Sequence, residues 1–208
     1  MNEFRARKNV LIIAEGFEEK LYIDKLLSFP KINKKVYHFA DTVNVKGNGN
    51  IPARYQYELQ RGYYDVILVF CDADRGRKQF VNLVETIGEN FFADKSNGIK
   101  VFIFANPVTL QIVLSHFGTV ALKNVAKKIN AKTVEKMTGI KNYRASQAQI
   151  EEMVNKIHSN SVDKFKQNLQ KISRDFNEIP STNFLTFLER FESDDTSWID
   201  DINSLRKK

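Results

Sequence analysis

The sequence has few of the residues that mark disulfide scaffolds and fibrous proteins. It contains one cysteine, Cys71, with four prolines and nine glycines in 208 residues. A single cysteine excludes a disulfide framework and a cysteine-based zinc cluster, and so little proline and glycine excludes a fibrous or low-complexity chain. No apolar run approaches the roughly 20 residues that a membrane-spanning helix needs, so we expect no membrane contact.

The start of the chain and its net charge bear on location and partner. Residues 1–9, MNEFRARKN, are charged and lead directly into a strand-like run, which is not the pattern of a signal peptide. Together with the single cysteine, this predicts a cytoplasmic protein. Lys and Arg number 32 against 25 Asp and Glu, a formal charge of +7, and this excess favours a polyanionic partner such as nucleic acid.

Strand and helix patterns alternate over residues 1–118. Continuous apolar runs are typical of strands buried on both faces of a parallel sheet, and segments with helical spacing of apolar residues separate them. The predicted strands are residues 10–14, 36–40, 64–71 and 100–105. This alternation predicts an α/β fold, a three-layer sandwich with a mainly parallel central sheet.

The remaining residues, 119–208, show helical spacing and no further strand pattern. Phe165, Leu169 and Ile172, for example, follow one another at the spacing of a single helical face. Residues 180–182, Pro-Ser-Thr, are a plausible cap for a last helix. We therefore predict a second domain, a helical extension that packs on the first.

Positive charge is concentrated in the middle of this extension. The basic residues there are Lys123, Lys127, Lys128, Lys132, Lys136, Lys141, Arg144, Lys156, Lys164, Lys166, Lys171 and Arg174. Two interpretations remain open, a solvated helical surface and a face that contacts phosphates. On the second interpretation, Lys123, Lys127 and Lys128 are candidate nucleic-acid ligands.

Acidic residues follow two of the predicted strands. Glu15 comes directly after the first strand, and Asp72 and Asp74 follow the third. The carboxyl ends of parallel strands meet at one edge of a sheet, and the two aspartates point the same way because side chains alternate along a strand. Carboxylates suit Mg²⁺ or Mn²⁺. The competing interpretation is that these acids only cap helix amides.

These residues resemble the Toprim pattern, which is an apolar strand ending in Glu-Gly, a nearby second acid, and a later strand ending in Asp-x-Asp. Residues 10–19, VLIIAEGFEE, and residues 66–75, VILVFCDADR, match it. Gly47 and Gly49 also lie where Toprim domains often carry a glycine. Topoisomerases, DnaG-type primases, recombination mediators of the RecR kind and OLD-family nucleases contain this domain.

A narrower resemblance is to RloB-like Toprim proteins of bacterial abortive-infection and restriction loci. Residues 104–117 are similar to their Ser-Asn-Pro…His-Phe segment. Two departures occur within it, since Ala105 replaces the usual Ser and Leu110, with Gln111 beside it, falls where an acid is expected.

The resemblance implies a Toprim-like fold and a Mg²⁺- or Mn²⁺-dependent phosphodiester enzyme, with a nuclease acting on DNA or RNA as the leading expectation and an ATPase as a possible partner. The residues it implicates are Glu15 as general acid/base or metal ligand, Asp72 and Asp74 as metal ligands, Glu19 as an accessory ligand, and Arg75 or Lys78 as phosphate contacts. The alternative is a non-catalytic Toprim-like module that binds nucleic acid or a partner protein. Ala105 and Leu110 favour it.

Two other families also place Asp-x-Asp after a strand, and both fit less well. Haloacid-dehalogenase phosphatases have Thr or Val where this chain has Gly76, and nucleotide-sugar transferases do not normally end their first strand in Glu-Gly. Elsewhere in the chain, Cys71 is expected to be a core thiol, and a capping or packing role is expected for His116.

Overall fold

The computed structural model of the chain describes residues 6–73 and 77–207. The strands are β1 (Lys8–Ala14), β2 (Tyr37–Phe39), β3 (Val43–Asn44), β4 (Val66–Asp72), β5 (Phe102–Asn106) and β6 (Ser181–Thr182). The helices are α1 (Phe17–Leu27), α2 (Ile51–Arg61), α3 (Arg77–Phe91), α4 (Leu110–Leu114), α5 (Lys127–Thr138), α6 (Gln147–Asn155), α7 (Val162–Leu169), α8 (Phe184–Glu192) and α9 (Ser197–Ser204). Short 3-10 segments span Asn48–Asn50, Lys95–Val101 and Ser159–Ser161. Asp74 and Arg75 lie outside the described residues.

The central sheet is mixed and mostly parallel. Its strand order is β2-β1-β4-β5-β6, and β3 also pairs with β1. β1 is parallel to β2, β3 and β4, and β4 is parallel to β5, whereas β6 runs antiparallel to β5. The prediction of an α/β fold with a mainly parallel sheet is therefore confirmed.

The two central strands, β1 and β4, form the middle of the hydrophobic core. Residues 10–14 and 66–71 are each at most 1% exposed. Continuous apolar sequence with no alternation is the pattern of a parallel strand covered on both faces. These buried strands fix the positions of the acidic side chains at their carboxyl ends.

The extension is not wholly helical, and that prediction was wrong at residues 181–182. These residues form β6, and Thr182 pairs with Ala105 on β5. The next residue, Asn183, accepts from Phe104 N at 2.9 Å and donates through its side-chain amide to Phe102 O at 2.8 Å. A two-residue edge strand supported by polar side chains leaves no apolar periodicity, so the sequence pattern did not reveal it.

Helices in the extension are also shorter than the apolar spacing predicted. Residues 119–126 precede α5 without helical structure, although Leu122 and Val125 fit a helical face. Similarly, α7 ends at Leu169, short of the apolar residues that continue its spacing. Apolar side chains from both parts of the chain nevertheless join one core cluster, and α6 packs on α1, α8 on β5 and α9 on β4.

His116 shows how closely the extension packs on the sheet region. Its ring stacks on Phe165 of α7 with a centroid separation of 3.6 Å, and its Nε2 lies 2.9 Å from the Tyr22 hydroxyl. Burial lowers the pKa of His116 to about 3, so the ring is neutral near pH 7. The histidine has the packing role expected of it.

None of the helices in residues 6–73 and 77–207 has the length and apolar content needed to cross a membrane.

Candidate acidic site at the carboxyl edge of the sheet

Glu15 and Asp72 meet where β1 and β4 end. The parallel register places Ala14 opposite Phe70, and the Glu15 amide continues the ladder by donating to Phe70 O at 3.0 Å. The Asp72 amide then donates to Glu15 Oε2 at 3.0 Å. The strand-end argument from the sequence thus brings together two residues that lie 57 positions apart.

Thr109 fixes the side chain of Asp72. Its amide and its hydroxyl both donate to Asp72 Oδ1, each at 2.6 Å. Thr109 is fully buried and immediately precedes α4, so it connects the ends of β4 and β5. The sequence analysis did not select this residue, although a threonine just ahead of a helix is a familiar source of hydrogen bonds.

Two further acids enter from the first turn of α1. Glu19 is 5% exposed, and Glu18 precedes it with its Oε1 atom buried. A Cβ atom at Gly16 would lie 2.9 Å from Glu19 Oε2, so the glycine of the Glu-Gly pair leaves room for this carboxylate. Glu18 was part of the quoted motif, but it was not chosen as a site residue.

These four acids line one cavity of about 350 Å³. Residues from both parts of the chain form its wall, namely Glu15, Gly16, Phe17, Glu18, Glu19, Gly47, Asp72, Val108, Leu110, Val125, Lys127, Tyr143, Ala145 and Ile150. The cavity therefore lies between the carboxyl edge of the sheet and the start of the extension.

Burial and mutual repulsion raise the pKa of these acids. Desolvation and the charge of Glu19 raise the pKa of Glu18 to about 8, against the opposing effects of Lys127 and Tyr143. Desolvation also raises the pKa of Glu19. Asp72 is partly exposed as a residue, yet desolvation of its carboxyl group, followed by the charge of Glu19, holds its pKa well above the usual range. Perturbation of this kind is typical of sites that bind ligands or transfer protons.

The donor chemistry of the cavity fits a hard divalent cation. Carboxylate oxygens are the ligands that Mg²⁺ and Mn²⁺ prefer, and a cation would relieve the repulsion among Glu15, Glu19 and Asp72. Within the described ranges, no three His, Cys, Asp or Glu side chains are arranged so that they could hold an ion. The fourth predicted ligand, Asp74, falls outside those ranges.

The predicted phosphate contacts are distributed unevenly around this site. Lys127 lines the cavity, whereas Lys123, Lys128 and Lys78 are exposed residues that do not line it. Arg75 lies outside the described residues. One of the predicted basic contacts is thus directly at the acids, and the others are surface positions.

Leu110, one of the two positions where the sequence departs from the RloB-like pattern, and its neighbour Gln111 have clear structural roles. Leu110 is buried and contributes an apolar wall to the cavity. Gln111 is fully buried and binds the backbone of the following segment, donating to Val120 O at 2.8 Å and accepting from Leu122 N at 2.6 Å. Gln111 therefore anchors the chain and does not replace the missing acid.

Comparison of the chain with protein-family models, with curated proteins and with solved structures gave no match. The resemblance to Toprim proteins therefore stays a prediction.

Proposed function

We propose that this chain is a Mg²⁺- or Mn²⁺-dependent phosphodiester enzyme of the Toprim type, acting as a nuclease on DNA or RNA in a bacterial defence or mobile-element context. The observation that carries the proposal is the junction of Glu15 and Asp72 at adjacent strand ends, inside a cavity with two more acids. A cytoplasmic location and an ATPase partner belong to the same proposal and rest on the resemblance and the composition.

On this proposal, each side chain of the cavity has a separate role that follows from its position. Glu15 and Asp72 would supply cation ligands, with Thr109 fixing the orientation of Asp72 and Glu19 as an accessory ligand. The described acids do not form a three-ligand set by themselves, so Asp74 would complete the site. A bound divalent cation polarises phosphoryl oxygens and activates water. Lys127 at the cavity wall would pair with a substrate phosphate, and the exposed lysines of α5 would attract the polyanion at longer range.

A second candidate is a non-catalytic module that binds nucleic acid or a partner protein. The observation that favours it is Leu110, whose buried apolar side chain lines the cavity where the resemblance expects an acid. Such a module would bind nucleic acid in the presence of a chelator and would show no turnover with any cation.

A nuclease assay separates the two candidates. Single- and double-stranded DNA and RNA are incubated with the wild type, Asp72→Asn and Glu15→Gln in Mg²⁺ or Mn²⁺, with Asp201→Asn as a control because Asp201 is an exposed acid on α9. The proposal expects a loss of about 100-fold or more in both site variants and full activity in the control. Equal activity of Asp72→Asn and the wild type would disprove it, and nucleic-acid binding without turnover would favour the module.

A further inference from the structure

Tyr143 is a buried polar residue that the proposed chemistry does not use. It lies in the segment between α5 and α6, is 1% exposed, and lines the acidic cavity. Its hydroxyl lies close enough to the Glu18 carboxyl group to lower the pKa of that group, but it has no well-formed hydrogen bond to any described residue. A buried hydroxyl without a partner destabilises the folded chain, so its presence at a cavity wall points to a ligand that supplies the missing bond.

The backbone around Tyr143 is held in place by one side chain. Gln149 of α6 accepts from Arg144 N at 2.8 Å and donates to the carbonyl oxygens of Lys141 and Asn142, both at 3.2 Å. Asn142 has a φ of 51°, a conformation that persists only where the surroundings impose it. The phenol is therefore presented to the cavity by a fixed segment.

Two other groups of the cavity complement this phenol. Glu18 Oε1 is buried and likewise has no well-formed hydrogen bond to any described residue, and Lys127 contributes an ammonium group from the start of α5. Together they offer a hydroxyl that donates or accepts, a carboxyl oxygen that accepts, and a cation that donates. A phosphate next to a sugar hydroxyl is the chemical unit that presents the complementary groups.

We propose that Glu18, Lys127 and Tyr143 form a subsite for the terminal nucleotide of a nucleic-acid strand. Lys127 pairs with its phosphate, the Tyr143 hydroxyl donates to a phosphate oxygen, and Glu18 accepts from a sugar hydroxyl. The inference rests on the proposed function, because a divalent cation at the neighbouring acids must offset their repulsion of the phosphate.

The size of the cavity favours a strand end over an internal position. Its volume of about 350 Å³ is near the lower limit for small-molecule pockets. A cavity of this size has room for about one nucleotide, and an internal nucleotide would have to bring both of its neighbours towards the same opening. We therefore infer that the substrate is a free end.

Calorimetric titration with deoxyadenosine 5′-monophosphate in Mg²⁺ tests the subsite without relying on turnover. Tyr143→Phe and Lys127→Gln are expected to weaken binding by about tenfold each, as loss of a hydrogen bond to a charged group predicts. The matched controls are Tyr63→Phe, an exposed tyrosine, and Lys128→Gln, the adjacent exposed lysine, and both should bind as the wild type does. No binding by the wild type, or equal binding by all variants, would overturn the inference.

Cleavage of a linear 5′-phosphorylated oligonucleotide and of a circle of the same sequence separates this inference from the proposed function. We expect the linear strand to be cut from its end, with the circle cut at least about tenfold more slowly. If the circle is cut as fast as the linear strand and Asp72→Asn is inactive, the subsite is wrong and the nuclease stands. If Asp72→Asn is as active as the wild type, the nuclease assignment fails, and the nucleotide titration then decides the subsite alone.

Discussion

Buried acids occur in two regions of this molecule, and their surroundings differ. Glu58 on α2 is 1% exposed, and it is clamped by Arg54 at 2.5 Å and Arg61 at 3.2 Å. In the cavity, Glu18, Glu19 and Asp72 form no ion pair with any described residue. The acid on α2 is thus compensated by ion pairs. The cavity acids are uncompensated in the sense that they have no ion pair with a described residue, although Thr109 donates two hydrogen bonds to Asp72.

The difference indicates which acids serve the fold and which serve a ligand. Arginines at four residues before and three after Glu58 satisfy it permanently within one helix. The cavity acids instead repel one another, which destabilises the folded chain until something positive binds. Natural proteins tolerate such local conflicts chiefly at functional sites.

The largest effect expected from this contrast is a dependence of stability on pH through Glu18. Its pKa is raised from 4.5 to about 8, so the folded chain retains a proton that the unfolded chain releases, and stability falls as pH rises from about 4.5 to about 8. Glu18→Gln removes this loss. We expect the variant to be more stable than the wild type by about 5 kcal/mol at pH 9 and nearly equal at pH 4. Chemical denaturation at the two pH values measures the difference.

The matched control for that measurement is Glu135→Gln, an exposed glutamate on α5, which should change stability little at either pH. If the difference in stability between Glu18→Gln and the wild type is the same at pH 4 and at pH 9, the folded chain does not raise the pKa of Glu18, and the contrast with Glu58 is wrong.

Removal of Glu58, the compensated acid, should lower the stability of the folded chain, whereas removal of the Glu18 charge should raise it. Glu58→Ala leaves Arg54 and Arg61 without this ion-pair partner, and Arg54 Nε is already buried without a hydrogen bond to any described residue. Both arginine side chains are more than a third exposed, at 38% and 39%, so the loss is expected to be about 2 kcal/mol, below that of a fully buried pair. Denaturant titration measures this loss, with Glu135→Ala as the control. If Glu58→Ala is more stable than the wild type, the contrast between Glu58 and the cavity acids is wrong.

A smaller effect should follow from releasing the segment that carries Tyr143. Gln149→Ala removes three hydrogen bonds to that segment, and we expect a loss of about 1 kcal/mol with weaker nucleotide binding. Gln147→Ala on the same helix, where the side chain binds only Glu151 among the described residues, is the comparison. A Gln149→Ala protein that is less stable but binds nucleotide normally would mean that the segment does not position a ligand.

The smallest effect is expected for Tyr143→Phe on stability. Because the hydroxyl is buried and has no well-formed hydrogen bond to a described residue, its removal should leave the free energy of unfolding unchanged or raise it by about 0.5 kcal/mol. Thermal or chemical unfolding of Tyr143→Phe, with Tyr63→Phe as the control, measures this change in stability. Destabilisation of more than about 1 kcal/mol would show that the folded chain, and not a ligand, uses the phenol.

The sequence predicted the parts of this structure that depend on local pattern. Continuous apolar runs located β1 and β4, and the geometry of parallel strand ends then placed Glu15 near Asp72 without further information. The Glu-Gly pair likewise has a local reason, since Gly16 leaves room for Glu19.

The parts that the sequence did not reveal depend on contacts between distant segments. β6 is two residues long and is supported by Asn183, so it has no periodicity of its own. Thr109 reaches Asp72 because β5 lies beside β4, and Tyr143 reaches the cavity because the extension folds back over the sheet edge. Neither residue belongs to a pattern of charged residues. Spacing along the chain carries no information about such contacts.

The central claim is that the uncompensated acids bind a divalent cation, and calorimetric titration of Mg²⁺ and Mn²⁺ tests it most directly. Wild type, Asp72→Asn and Asp201→Asn are compared, first alone and then with deoxyadenosine 5′-monophosphate present. We predict binding by the wild type and by Asp201→Asn, with at least tenfold weaker binding by Asp72→Asn. Equal binding by all three proteins, or no binding by the wild type under either condition, would contradict the account.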